Sequence, residues 1–326
     1  MSQFPESRYT IAPKTTIEDV FAAVQSGSVA HGVVPFENSS NGSVVFTLDL
    51  FADLHGRYPD ILVCGETYLQ VRHCLLGHTA KQQEDHLAKP AGQPWRKLKD
   101  EGDSPNPSGQ VTPTQAAPQP GKPRVEPLQD IKHIKKLYSH PQAWGQCKLF
   151  LSTYLKGTER QDVSSTSKAA ELVAQDTTGT SAAISSRIAA DLNDLDVLAE
   201  GIEDNEGNST RFFIIRRQQD VPTPEVKESD NGIDLYKTLV SYTVEHGEPG
   251  ALADCLAVFK KYNLNLTSIN TRPSGEAPWH YIFFVEFMGR KLAEGAGGAV
   301  NEALQELGKV AKSWRWLGSW ENALTA

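Results

Sequence analysis

The sequence predicts an α/β protein in two parts, and three observations carry that reading. Short strand-like runs alternate with helical runs up to about residue 217, joined by short polar turns, which implies an α/β domain with a mostly parallel sheet. Residues 79–128 interrupt this rhythm with Pro, Gln, Gly and Lys and almost no apolar periodicity. After residue 231 the order becomes strand, helix, strand, strand, helix, strand, the ferredoxin-like βαββαβ arrangement.

The first clear helix covers 15–24. Thr15 and Glu18 read as its capping box, Ile17, Val20, Phe21 and Val24 form one apolar face, and Gly27 ends it. A buried strand is expected at 33–36, a helix at 43–54 and one strand-like run over 61–76. A strand at 137–139 leads into a single helix over 141–154, with Pro141 at the permitted first position. A helix at 166–174, a strand at 182–184, a helix near 187–191 and a strand at 210–215 follow. The smaller part holds strands at 235–245, 264–270, 280–287 and 314–320, with helices at 250–262 and 299–312. The expected boundaries are therefore 1–78 plus 129–217 for the first domain and 232–322 for the second. Segment 79–128 is expected to be a disordered insertion and 218–231 a charged linker, because neither can bury enough apolar surface to offset ordering.

Composition excludes several functions. A formal net charge of −8 without a Lys/Arg stripe argues against a nucleic-acid partner. No stretch reaches the ~18 apolar residues of a membrane span. The four cysteines, Cys64, Cys74, Cys147 and Cys255, lack metal or redox spacing and read as reduced thiols of a cytoplasmic protein. No GxSxG elbow, HExxH or Walker loop is present.

Three strand-to-helix turns share a polar composition: Glu37-Asn38-Ser39-Ser40-Asn41-Gly42, Ser139-His140-Pro141-Gln142 and Ser164-Ser165-Thr166-Ser167. Each is expected to set hydroxyl or amide groups beside the free N–H groups of a helix start, where anions are stabilised. Ser, Thr and Asn are also ordinary N-caps, so no single turn decides the matter. Thr210 and Arg211 open an apolar strand, and a hydroxyl beside a guanidinium suits a carboxylate ligand. Taken alone, a half-buried edge strand with a surface Arg explains that pair better.

Together these stretches resemble prephenate dehydratases. The family pattern GVVPIENS with G-x-V is similar to residues 32–44, YSHPQA…QC to 138–143 with Gln146-Cys147, S-T-S/A-x-A-A to 165–170, and N-x-TRF to 208–212. The family's regulatory ACT domain carries G-A-L and N-L-T-x-I-E-S-R-P, which resemble Gly250-Ala251-Leu252 and residues 265–273. The resemblance implies a two-lobed, periplasmic-binding-protein-like catalytic domain with the active site in its cleft, followed by an ACT domain through which a homodimer or homotetramer forms. It implies conversion of prephenate to phenylpyruvate without metal or organic cofactor, and feedback by L-phenylalanine. By resemblance Thr210 donates a hydrogen bond to the departing hydroxyl. Asn38, Ser39, Gln146, Ser165, Thr166 and Arg211 contact substrate, and Glu37 either orients the site or belongs to it. Gly250, Ala251, Leu252, Asn265, Leu266 and Thr267 form the phenylalanine pocket. Arogenate as substrate, and a non-catalytic phenylalanine-binding regulator, fit the same residues.

Two departures set further expectations. The family's leading strand and GPxGTxS-like loop have no counterpart here, so low solubility or low activity is expected of 1–326 alone. The family's Glu-Ser-Arg-Pro is Asn270-Thr271-Arg272-Pro273, which predicts weakened phenylalanine control.

Overall fold

The computed structural model describes residues 7–79, 121–220, 235–293 and 295–324. In chain order the elements are α1 (Ile17–Gln25), β1 (Gly32–Asn38), β2 (Gly42–Ser43), α2 (Val45–Ala52), β3 (Ile61–Gln70), β4 (Cys74–Gly77), β5 (Lys136–Ser139), α3 (Pro141–Gln146) and α4 (Lys148–Tyr154). There follow β6 (Glu159–Asp162), α5 (Thr166–Ala174), β7 (Ser181–Ser185), α6 (Arg187–Asn193), β8 (Asp196–Glu200), β9 (Ser209–Arg217), a short 3₁₀ turn (Gln218–Asp220) and β10 (Tyr236–Thr243). The chain closes with α7 (Ala251–Lys261), β11 (Leu266–Pro273), β12 (Tyr281–Met288), α8 (Ala299–Val310) and β13 (Ser313–Glu321).

The chain forms two compact units, Met1–Leu69 with Ser209–Ala326, and Gln70–Asn208. The first unit carries an eight-stranded sheet of order β11-β12-β10-β13-β3-β9-β1-β2. The strands of the βαββαβ segment pair antiparallel, β11 with β12, β12 with β10 and β10 with β13. This segment shares its sheet and its compact unit with strands from residues 1–69 and 209–217. β13 meets β3 in parallel at Gly318 and Val63. Gly318 has φ +133, and a Cβ placed there would lie 2.1 Å from the Val63 carbonyl oxygen, so only glycine lets the strands approach. One core serves both segments: Phe21, Val34, Phe36, Phe51 and Phe213 pack with Leu239, Phe284, Leu317 and Trp320. Phe36 stacks on Phe213 at 3.9 Å, and Phe213 meets the Trp320 edge at 5.2 Å. Each buried aromatic contributes roughly 1.5–3 kcal/mol of transfer free energy.

Helix α1 starts one residue later than its sequence implied. Thr16, not Thr15, is the N-cap, and Asp19, not Glu18, completes the capping box through bonds of 3.1 and 3.0 Å. Glu18 instead reaches Arg57 at 2.6 Å. The 61–76 run is two strands, broken at Val71-Arg72-His73 and assigned to different units.

The second unit carries a five-stranded sheet of order β6-β5-β7-β4-β8. β5 pairs in parallel with β6 and β7, whereas β4 pairs antiparallel with β7 and β8, so the sheet is mixed rather than mostly parallel. β4 is buried on both faces. Leu75 packs with Leu137, Phe150 and Ile184, while Cys74 and Leu76 pack with Ala169, Ala170 and Val173. The expected helix 141–154 is two helices meeting at Cys147, with φ −124 and ψ 28. Asp204 satisfies the start of the second one, accepting from the Lys148 and Leu149 N–H groups at 2.9 and 3.0 Å. Of the expected insertion 79–128, residues 80–120 lie outside the described residues. Residues 121–128 belong to this unit: the Leu128 N–H donates to the Leu198 carbonyl and Val125 packs on the core. Residues 221–231 of the expected linker also lie outside the described residues.

Candidate functional site

The site begins where β1 and β9 run side by side. They pair antiparallel, with Asn38 opposite Thr210 and Glu37 opposite Arg211 after a bulge between Pro35 and Glu37. The Asn38 amide is the hub. Its Nδ2 donates to Thr210 Oγ1 at 3.1 Å and to the Ser209 carbonyl at 3.2 Å. Its Oδ1 accepts from the Ser40 and Asn41 N–H groups, both at 3.0 Å. Ser39 adds two bonds of 2.9 Å, its N–H to the Ser209 carbonyl and its Oγ from the Ser209 N–H. Residues 39–41 are therefore a turn joining β1 to β2, and the 37–42 stretch is not a helix start. The helix after it is capped by Val44, which offers no side-chain bond. Asn38 is a brace for Thr210 in this arrangement. Thr210 Oγ1, having accepted from Asn38, keeps its single proton for another acceptor.

Arg211 is not placed to take a substrate carboxylate with its bonded nitrogens. Successive strand side chains point to opposite faces, so it leaves β9 away from Thr210. The residue is 7% exposed, its Nε donates to Glu66 Oε2 at 2.8 Å, and its NH2 donates to Glu286 Oε2 at 2.6 Å. Lys237 Nζ lies 3.1 Å from Glu66 Oε1 and 3.8 Å from Glu286 Oε1. Two cations and two carboxylates thus form a buried neutral cluster. Burial alone would push the Glu66 carboxyl up, but Arg211 and Lys237 outweigh it and hold the group below the usual carboxylate range. Burial would likewise lower Arg211, and Glu286 and Glu66 outweigh it and raise it. The guanidinium also lies 4.8 Å from the Phe213 ring centroid and 5.6 Å from that of Phe36.

In the second unit, Gln146 ends α3 and its Oε1 sits 2.5 Å from His73 Nε2. An amide oxygen only accepts, so His73 carries its proton on Nε2 and leaves the Gln146 amide N–H groups for other partners. Ser165 is the N-cap of α5, accepting from the Lys168 N–H at 3.0 Å, and Thr166 is the first helical residue. His140, not Ser139, caps α3, because the Ser139 hydroxyl donates to the Ile184 carbonyl at 3.0 Å. The turns after β5 and β6 share the carboxyl edge of parallel strands, the edge at which α/β sheets bind ligands. Ser185 ends β7, the third of these parallel strands; its buried hydroxyl lacks a hydrogen-bond partner among the described residues. Sequence reading missed Ser185 and the carboxylates of the charge cluster. The signal for the last was a lone charge inside an apolar strand, as in ILVCGETYLQ and YIFFVEFM.

Gly250 is the N-cap of α7 with φ +92, a conformation open to glycine. With Ala251, Leu252 and Leu256 it lines a cavity of about 520 Å³. Asn265 and Leu266 line a second of about 720 Å³, which Leu256 also borders. Thr267 is exposed at the start of β11 and its Oγ1 donates to Glu286 Oε1 at 2.7 Å. Among the described residues no group of His, Cys, Asp and Glu could hold a metal ion, and no helix is long and apolar enough to cross a membrane.

Comparison with known proteins bears on this arrangement. The bifunctional chorismate mutase/prephenate dehydratase of Pseudomonas aeruginosa is 32% identical over 96% of this chain, and the chain spans 66% of that protein's length. The prephenate dehydratase of Methanocaldococcus jannaschii is 30% identical over 87% of this chain and 79% of its own. The crystal structure of a prephenate dehydratase from Arthrobacter aurescens in complex with L-Phe superposes with a TM-score of 0.69 at 26% identity, covering 96% of this chain and 82% of that one. The family model for prephenate dehydratase matches residues 1–89 and 124–220, which between them hold the Asn38–Thr210 brace, Gln146 and the α5 cap. On these grounds the chain belongs to the prephenate dehydratase family.

Proposed function

We propose that this chain is a prephenate dehydratase, a carbon–oxygen lyase that needs no cofactor. The observation that carries the reading is the Thr210 hydroxyl, fixed as an acceptor by Asn38 at 3.1 Å so that its proton faces a ligand. In the reaction the bond from the ring to its carboxylate breaks and carbon dioxide leaves. That electron pair enters the ring, the ring C–O bond breaks, and the departing hydroxide takes one proton from solvent to become water. The ring becomes aromatic and phenylpyruvate remains. Aromatisation supplies the driving force, so the protein's part is positioning and donors aimed at the charge developing on the departing oxygen. Thr210 is such a donor. A threonine hydroxyl is a poor acid, so it polarises the departing oxygen rather than surrendering its proton. Ser39, Gln146, Ser165 and Thr166 are assigned to the substrate's carboxylates and carbonyl, and Glu37 either orients the site or belongs to it. Asn38 acts through Thr210.

The finer fold reading belongs to the same proposal: a two-lobed, periplasmic-binding-protein-like catalytic domain and an ACT domain spanning 232–322. L-Phenylalanine is the proposed effector. Gly250, Ala251 and Leu252 offer backbone N–H groups at a helix start, and Asn265, Leu266 and Thr267 offer polar and apolar contacts. A homodimer or homotetramer in the cytoplasm is the proposed working state. Incubating the chain with prephenate and following phenylpyruvate by absorbance tests the activity. Thr210→Val removes one donor at nearly constant shape and is expected to cost roughly 2–4 kcal/mol of transition-state stabilisation. Wild-type turnover by that variant would overturn the assignment, and turnover of arogenate instead of prephenate would change the substrate.

A further inference from the structure

We propose that Thr267 is a positioning residue for Thr210, acting through Glu286 and Arg211 across the buried charge cluster. The inference rests on the dehydratase reading for its kinetic consequence, though not for its geometry. The contacts are continuous. Thr267 Oγ1 donates to Glu286 Oε1 at 2.7 Å, and Glu286 Oε2 accepts from Arg211 NH2 at 2.6 Å. Arg211 is the chain neighbour of Thr210, and the two face Glu37 and Asn38 in the β1–β9 register. Thr210 in turn is held by Asn38 at 3.1 Å.

The cluster has two ways to distribute its charges. Glu286 Oε1 lies between the Thr267 hydroxyl at 2.7 Å and Lys237 Nζ at 3.8 Å. With the hydroxyl in place, Glu286 is held toward Arg211. When the hydroxyl is removed, Lys237 is the nearest donor to that oxygen, and a carboxylate drawn to Lys237 loosens its bond to Arg211. Arg211 cannot absorb the change by swinging freely, because its guanidinium is packed among the rings of Phe36, Phe213, Tyr68 and Trp320. The displacement passes instead to the start of β9 and to the angle of the Thr210 hydroxyl. Thr267 is exposed while Glu286 is 2% exposed, so a surface event at β11 reaches a buried carboxylate in one hydrogen bond.

The test uses the full chain with Thr267→Val and Thr267→Ser. Thr267→Val is expected to lower kcat about fivefold or more, a coupling of ordinary size for linked sites, with KM moved less than about twofold. Thr267→Ser keeps the hydroxyl and is expected to recover kcat to within about twofold of wild type. A structural readout accompanies the kinetics: the ¹³C-methyl resonance of Thr210 shifts in Thr267→Val and returns in Thr267→Ser. Loss of a hydrogen bond to the buried Glu286 carboxylate is also expected to lower the urea midpoint of Thr267→Val, and Thr267→Ser to restore it. An unmoved Thr210 methyl together with unchanged kcat in Thr267→Val overturns the proposal, as does a Thr267→Ser chain as impaired as Thr267→Val. Should the wild type turn over neither prephenate nor arogenate, the dehydratase reading fails by itself, and the methyl resonance alone decides this one.

Discussion

Replacing Glu66 by Gln removes one charge from the centre of the first unit at almost constant volume. Glu66 is 3% exposed and its carboxylate accepts from Arg211 Nε at 2.8 Å, Lys237 Nζ at 3.1 Å and the Ala323 N–H at 3.0 Å. In the wild type the cations Arg211 and Lys237 balance the carboxylates Glu66 and Glu286. In the variant two cations face one carboxylate, and the new amide turns either its N–H₂ toward Arg211 or its oxygen away from Lys237. Removing one partner of a buried ionic set costs about 3–5 kcal/mol, because the remaining charge stays desolvated. That is about a fifth or more of the roughly 5–15 kcal/mol that holds a domain folded. Urea unfolding followed by tryptophan fluorescence should show the midpoint falling by about 1 M or more. Adding Lys237→Met restores neutrality and should recover about half of the loss. A midpoint within about 0.3 M of wild type for Glu66→Gln alone would refute the reasoning, since it would mean that the cluster is not desolvated in solution.

Three further outcomes are expected. Gly318→Ala forces a side chain into φ +133 and against the Val63 carbonyl, so a loss of about 3 kcal/mol or more is expected in urea unfolding. Thr16→Ala should lose about 1 kcal/mol of cap energy while Thr15→Ala stays within about 0.5 kcal/mol, measured by thermal unfolding; equal losses would contradict the observed cap. Acid should weaken the first unit through Glu66. Its folded pKa is depressed by Arg211 and Lys237 despite burial, so below the unfolded value of about 4.3 the unfolded chain takes up the proton first. The stabilisation is fully present above that value and is lost as pH falls through the folded pKa, so the unfolding midpoint should drop steeply below about pH 4 and less so in Glu66→Gln.

Local periodicity made much of the fold legible, and contact between distant segments made the rest illegible. Helix α5 reads directly because Ser165 caps it and Ala169, Ala170 and Val173 recur on one face. The capping box of α1 slipped by one residue because Thr15-Thr16 and Glu18-Asp19 offer two boxes in adjacent registers, and only Arg57 and Tyr58, 39 and 40 residues from Glu18, claim that carboxylate. β6 was missed because all four of its residues are exposed, so no apolar signal exists. The mixed sheet of the second unit was missed for a different reason: strand direction is not a property of composition, and β4 is buried on both faces like a parallel strand. At the site, Thr210 and Asn38 were legible as residue types, but their hydrogen bond spans 172 positions. Arg211 read as a surface partner for a ligand because its two carboxylates lie 145 and 75 positions away.

The first unit is written in two pieces of sequence, and this sets an order of events during synthesis. Residues 70–208 form a continuous stretch that emerges whole and holds its own sheet and cores. Residues 1–69 emerge before it yet lack their sheet partners until β9 and then β13 follow. Closing such a long loop costs little more free energy than closing a shorter one, since the penalty grows only with the logarithm of length, but it delays the contact. The apolar run Gly32-Val33-Val34-Pro35-Phe36 is therefore synthesised well before β9, the strand that pairs with it. Pro35 within that run withholds an N–H from any stray strand that would pair with it, and Glu37 and Asn38 end it with polar side chains. The residues at the mouth of β1 thus act twice, first as guards of a nascent edge and afterwards as the brace of a hydroxyl that arrives 172 residues later.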